Sequence, residues 1–280
     1  MRPFAEPTHL EVPDAEAANG CFETMRVYAG KVFRLEDHLD RLYASAKFLG
    51  TPLPGTRQAV RSQLLGAVSR SGITEAMLRI ALIPRSTDGG GRGIRPGALT
   101  VPSIVVAPVP VPSPAQYRSG VAVAVVPARK FSVAGIDPQA KYSARLGSVL
   151  AIMDAQLRGV DEALFMDAAG YVSESTASNF GMVKRGTIVT APCWLGLLAG
   201  ITRDVLFELA ASLRLPIREA PITRHDLYNA DEAFLLSTLK EVLSVTAVDG
   251  RRIGTGRPGT VSQRLLTAFR RLVRKELQLR

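Results

Sequence analysis

Cysteine is almost missing from this sequence: among 280 residues only Cys21 and Cys193 occur, with no C-x-x-C pair and no cysteine–histidine cluster around either. Two isolated thiols exclude a disulfide framework and a cysteine-rich zinc site, and they fit a reducing compartment. Histidine is nearly as scarce. His9, His38 and His225 form no Ser-His-Asp pattern, which leaves hydrolytic catalysis without support. Long apolar runs are absent too: none reaches the roughly 18 residues that a membrane span needs. The opening MRPFAEPTHLEVPDAEA contains no apolar h-region, so a soluble, cytoplasmic protein is expected. Finally, GGGRG at 89–93 lacks the strand-to-helix setting of a nucleotide loop, and no dinucleotide or metal motif replaces it.

Lysine is also in short supply, with seven residues against twenty-eight arginines. The formal net charge of +10 is compatible with nucleic acid, because basic surfaces gain affinity by displacing phosphate counterions. The excess is dispersed, however. Its densest cluster, SQRLLTAFRRLVRKELQLR at 262–280, carries Leu265, Leu266, Phe269, Leu272 and Leu277 as one apolar stripe, and it reads as a docked amphipathic helix with a solvated basic face.

What is present is an ordinary globular composition, 46% apolar and 21% charged, on a chain long enough for two lobes around a cleft. FETMRVYAGKVFRL at 22–35 gives two period-two runs around Ala29-Gly30, a hairpin signal. Helices are expected over 36–50 and from about 56 to 71, then strands at 76–83 and 99–109 with the exposed loop PRSTDGGGRGIRPG between them. PVPVPSPAQYRSG at 108–120 packs four prolines into a polar connection. The boundary is placed there, giving a small domain at 1–112, a linker at 113–120 and a larger domain at 121–280. Beyond it come a buried strand VAVAVVP, a helix at 146–157, and four strands in close succession from DEALFMD to TIVTAP. A helix at GITRDVLFELAASLRL and strands near 216–222, 232–238 and 243–253 complete an α/β to α+β chain without repeats.

One of the few lysines, Lys141 in DPQAKYSARLGSVLAIMDAQ, precedes the helix at 146–157. A lysine at the edge of an apolar lobe can form a Schiff base, since desolvation frees its amine lone pair. A surface lysine at a helix start is the alternative.

Five segments in order, FETMRVYAGKVFRLEDHLDRLYASA, AKYSARLGSVLA, DEALFMDAAGYVSESTASNF, GITRDVLFELA and DEAFLLSTLKEV, resemble the class IV pyridoxal-phosphate enzymes. These comprise D-amino-acid transaminases, branched-chain transaminases and aminodeoxychorismate lyases. The resemblance covers the chain from about residue 20 onward and implies the two-domain fold type IV, pyridoxal 5'-phosphate as cofactor and a homodimer. It implies Lys141 as the Schiff-base lysine and proton shuttle, and Glu174 as the carboxylate facing the pyridine nitrogen. Arg41, Thr202, the backbone of Ile201, and Thr238 would hold the phosphate, which a helix N-terminus favours. On the substrate side, alternation puts Phe22, Thr24, Arg26 and Tyr28 on one strand face that looks into the site in similar enzymes. Arg79 and Arg92 stand where relatives keep cationic ligands, Arg92 on a loop expected to reach the partner subunit.

Departures from the family pattern are PDAEAANGC before the Phe-Glu pair, Ala199 for a proline, and Ala144 for an asparagine after the lysine. Arg145 resembles the lysine-x-x-x-arginine run of some lyase members. The expected function is amino transfer between an amino acid or primary amine and a 2-oxo acid. The alternatives are aminodeoxychorismate lyase on the same scaffold and, from a different class, a nucleic-acid-binding protein on a decayed one. Against the last, Lys141, Glu174 and Thr202 are retained together, and the basic helix lacks interleaved aromatics for base stacking.

Overall fold

Strand β1 (Cys21–Tyr28) is the residue run CFETMRVY, and it turns into β2 (Lys31–Val32) through Ala29 and Gly30. Both turn residues have positive φ, 47° and 77°. That is what a two-residue loop matched to strand twist demands, and glycine at the second position meets it without strain. The computed structural model describes residues 20–85, 99–130 and 136–279.

Helix α1 (Leu35–Leu49) carries Glu36 and Asp37 in its first turn and stops at Gly50, in the left-handed region. Helix α2 (Arg57–Ser71) begins where the Thr56 hydroxyl accepts from the Ala59 N–H. With β3 (Ala76–Arg85) and β4 (Leu99–Pro108) they form a four-stranded sheet in the order β2-β1-β3-β4, antiparallel throughout. Its core joins Met25, Val27, Leu39, Leu42, Leu64, Leu78 and Ile80.

The proline-rich connection contains α3 (Pro114–Ser119), which the sequence reading treated as linker. Ser113 and Gln116 cap each other's backbone N–H and Pro114 sits in the first turn, a helix-start signature.

The second half is built on β5 (Val121–Arg129), α4 (Leu146–Leu157) and β6 (Glu162–Met166), with β5 parallel to β6. Strands β7 (Val172–Ser175), β8 (Asn179–Lys184) and β9 (Thr187–Thr190) follow. Helix α5 (Ile201–Ser212) then leads to β10 (Ile217–Glu219), parallel to β9. After the short α6 (Arg224–Tyr228) come β11 (Glu232–Ser237), β12 (Glu241–Val248), β13 (Arg251–Arg252) and the C-terminal α7 (Thr260–Glu276). The strand order is β10-β9-β8-β11-β12-β5-β6-β7, and β7 pairs back onto β8, closing a six-strand circuit. Val123, Leu164, Phe180, Leu235 and Val245 are among its buried core.

Two of the contacts that bind the halves centre on β1. The segment after Ala140 adds to β1: Phe22 N–H donates to the Lys141 carbonyl at 3.1 Å and Ser143 N–H to the Gly20 carbonyl at 2.8 Å. The second is Glu241, 2% exposed. It accepts from Arg26 Nη1 and Tyr28 Oη at 3.1 Å each, and from Arg270 Nε at 2.8 Å. Removing its charge strands two guanidinium groups, so Glu241→Gln is expected to lower unfolding free energy by about 3 kcal/mol. Urea denaturation measures this, and a loss below about 1 kcal/mol would mean that solvent replaces the cluster.

Candidate active site

One cavity of about 390 Å³ is lined from both halves, by β1 and β3 on one side and by β7, the start of α5 and the β11–β12 turn on the other. Lys141, Arg41, Glu174, Ile201, Thr202, Thr238 and Arg79 all line it. Seven residues picked from separate stretches of chain thus converge.

At one end stands the N-terminus of α5, whose N-cap, Gly200, offers no side chain to the first N–H groups. Ile201 and Thr202 therefore present backbone donors and a hydroxyl to the cavity. A Cβ at Gly200 would stand 1.9 Å from Asn179 Oδ1 and push that side chain off Glu174. Arg41 reaches the same end from α1, donating from Nη1 to the Ala199 carbonyl at 2.8 Å. Its other edge is held by Glu23, at 2.6 Å from Nε and 2.9 Å from Nη2.

Glu23 is fully buried. Burial would push its carboxyl up, but Arg41 and His38 prevail and bring it down to about 2. Burial lowers the His38 imidazole below its usual value. A neutral ring beside an ionised carboxylate must donate, so Nδ1–H of His38 gives the 2.7 Å bond to Glu23.

Also on the wall, Glu174 Oε2 accepts from Asn179 Nδ2 at 3.2 Å and from Leu198 N–H at 3.1 Å. Its Oε1 meets Lys130 Nζ at 2.6 Å. The carboxylate is thus fixed by one oxygen and aimed at a cation by the other.

The Lys141 amine lies in the same cavity, 4.8 Å from the centre of the Phe22 ring. Burial, with the Arg41 and Arg145 guanidinium groups adding to it against Glu23 and Glu174, brings the amine from 10.5 down to about 7. The backbone of Lys141 is fixed by α1: its N–H donates to Ser45 Oγ at 3.0 Å, and that hydroxyl donates to the Arg41 carbonyl at 2.8 Å.

Arg26 and Tyr28 lie outside the cavity. Strand alternation carries Phe22 and Thr24 to its wall, but the next two residues on that face are drawn to buried Glu241, whose charge requires them. Arg92 lies outside the described residues. Sequence reasoning did not single out Glu23, Ser45, Lys130 or Asn179 as site residues. Glu23 adjoins Phe22 in the quoted segment and Asn179 ends YVSESTASN, so a signal was present; Ser45 and Lys130 carried none.

These features suit a phosphorylated aldehyde cofactor: an amine that sheds its proton near neutral pH, a fixed carboxylate, and an uncapped helix N-terminus beside an arginine. Residues 20–248 match the family model described as amino-transferase class IV. The chain belongs to that family. A Methanocaldococcus jannaschii protein, named provisionally as a branched-chain-amino-acid aminotransferase, is 36% identical over 90% of this chain and 86% of its own length. The branched-chain aminotransferase structure from Escherichia coli superposes with a TM-score of 0.87 at 30% identity, covering 91% of this chain and 85% of that one. The Thermobaculum terrenum enzyme in its PLP form gives 0.87 at 25% identity, covering 97% and 91%.

This class IV aminotransferase therefore has the fold type IV architecture, depends on pyridoxal 5'-phosphate, and transfers an amino group between an amino acid and a 2-oxo acid. The transaminase reading, rather than the lyase alternative, is the one that these likenesses favour.

An amine with a pKa near 7 is mostly charged below that pH and mostly free above it, so acylation of Lys141 in the apoenzyme rises through pH 6–8 and then levels. Competitive acetylation with trace reagent, read peptide by peptide, checks this. A rate still climbing tenfold per unit at pH 9 would show an ordinary lysine.

Proposed function

We propose that this aminotransferase takes its amino group from a branched-chain amino acid, with Lys141 as both covalent anchor and proton carrier. The observation that carries the reading is the desolvated Lys141 amine, in one cavity with Glu174 and the open end of α5. Relatives named for branched-chain substrates support the donor class, as do Phe22 and Met77, which give the cavity apolar wall.

When bound, the cofactor supplies an electron sink for the pair left behind as the substrate Cα loses its proton. The remaining tasks fall to the chain. Thr202, Ile201 N–H, Arg41 and Thr238 hold the phosphate. Glu174 holds a proton on the pyridine nitrogen. Lys141 would lift the proton from the substrate Cα and return it on the far side of the amino nitrogen, a short transfer for an amine whose pKa lies near neutrality. Arg79 binds a substrate carboxylate, as a guanidinium fork does well.

A donor panel with 2-oxoglutarate and pyruvate as acceptors tests the reading. Leucine, isoleucine and valine should turn over, and Lys141→Ala should lose about three orders of magnitude of rate together with the borohydride-reducible cofactor link. Turnover of D-amino acids without any branched-chain donor would overturn the substrate assignment, and a reducible link surviving in Lys141→Ala would overturn the anchor.

The reading includes a homodimer. Helix α4 shows an inverted face: Ala151 and Ala155 point inward, while Leu146, Val149, Leu150, Met153 and Leu157 are 50–88% exposed along one stripe. Edge strand β4 adds exposed Leu99, Val101 and Val105. Covering such area needs a partner, and α4 begins at the cavity, lined by Arg145, Gly147 and Ser148. Leu150→Glu should therefore sediment as a monomer where the parent sediments as a dimer, and an unaltered dimer would place the interface elsewhere.

The small domain at 1–112 and the larger at 121–280 belong to the same reading, supported by the change of sheet between β4 and β5. So does a cytoplasmic location, supported by two free thiols; burial pushes Cys21 up to about 12.

A further inference from the structure

Arg34 is the N-cap of α1, and it stands in the left-handed region at φ 54°. That region favours glycine, so an arginine there is strained. Its guanidinium is engaged on both edges. Nη1 and Nη2 meet Glu208 of α5 at 3.0 and 2.6 Å, while Nε and Nη2 meet Glu276 of α7 at 3.0 and 2.6 Å. Two forked pairs on carboxylates from two helices of the second half hold it in one orientation. Phe33, just before it, is buried in one cluster with Leu209 of α5 and Phe269 of α7. The two residues therefore enter the seam between α5 and α7 together.

Spacing gives this cluster a bearing on the cavity. Arg34 and Arg41 are seven residues apart, about two turns along α1. Their partners at α5, Glu208 and the Ala199 carbonyl, follow in the reverse order. The helices are thus tied twice in opposite sequence sense, once at the cavity and once about 10 Å along α1 from it. Acids crowd the same seam: burial raises the Asp204 carboxyl, and the fields of Asp37 and Glu208 add to it against those of Arg203 and Arg41. Like charges there push α1 and α5 apart unless a cation is shared. Arg34 is bonded to two of the three, Asp37 at 3.4 Å and Glu208.

We infer that Arg34 is a positioning residue for the cofactor phosphate: its tie to Glu208 sets the gap between Arg41 and the Ile201–Thr202 end of α5, across which the phosphate is gripped. The inference rests on the phosphate seat proposed above and extends it to a residue that lines no part of the cavity. Without that tie α1 keeps its Glu23 anchor but shifts against α5, and donors from the two helices lose their common focus. A displacement of an ångström or less is enough to weaken such a grip.

Phosphate-selective binding tests it. Pyridoxamine 5'-phosphate and pyridoxamine, neither of which can condense with a lysine, are titrated by calorimetry into the full chain freed of cofactor, and the ratio of their dissociation constants reports the phosphate seat. Arg34→Gln and Glu208→Ala should each weaken the phosphorylated form by about tenfold, the scale of a charge-assisted bond, and leave pyridoxamine within about twofold of the parent. Glu208 is half-exposed, so its variant tests the tie even where Arg34→Gln fails to fold. Glu276→Ala, which leaves the tie to α5 in place, should lower the urea midpoint without moving the ratio. An unchanged ratio in Glu208→Ala, or equal losses of both ligands, would overturn the inference by making the cluster a stabilising contact alone. A ratio that moves as far in Glu276→Ala as in Glu208→Ala would overturn it too, since the register of α1 against α5 would not be the cause. A parent chain that binds both ligands alike would overturn the phosphate seat itself, and the inference with it.

Discussion

The buried carboxylate of Glu23 is the interaction on which the site depends. It has no exposure to solvent, and it remains ionised because Arg41 and His38 surround it. Breaking such a group away from its partners costs several kcal/mol, so the guanidinium of Arg41 cannot wander. Fixing Arg41 fixes more than a phosphate ligand. Its carbonyl receives the Ser45 hydroxyl, which in turn receives the Lys141 N–H. One acid on β1 thus sets the position of α1 and, through α1, the backbone of a lysine more than a hundred residues away.

The same cation also sets the chemistry of that lysine. Arg41 follows burial as the second cause of the lowered Lys141 pKa. A protonated amine beside a fixed guanidinium is costly, and the neutral amine is the nucleophile. Substrate-side and cofactor-side electrostatics are therefore coupled, since Arg145 depresses both Lys141 and Arg79.

Much of this was legible in the sequence, and the reasons differ by element. Long elements with a clear period, such as α1 and the run from β6 to β9, fall within a residue or two of expectation because each buries one continuous face. Elements of about one turn, α3 and α6, were missed although each has a capping box, since five or six residues show no period to recognise. In the site, residues inside ordered motifs could be placed, but Arg26 and Tyr28 could not. Strand alternation says that side chains share a face and not how far that face stays beside the cavity, and Glu241, which captures both, is more than two hundred residues away. Lys130 was invisible for a similar reason, because its partner Glu174 is supplied by another strand.

The shortage of lysine is explained by what each cation has to do. Arginine keeps its charge at any working pH and offers a planar fork. It suits Arg34, which bridges Glu208 and Glu276, and Arg41, which must remain charged beside Glu23. A covalent anchor has the opposite requirement: it must shed a proton to attack a carbonyl carbon and carry one between neighbouring atoms. Guanidinium cannot do this near neutral pH, whereas a desolvated ammonium can. Replacing Lys141 by arginine would keep a cation of similar size and still remove an amine whose protonation changes near neutral pH. In a chain that otherwise prefers arginine four to one, a lysine at that position reflects a chemical requirement that arginine cannot meet.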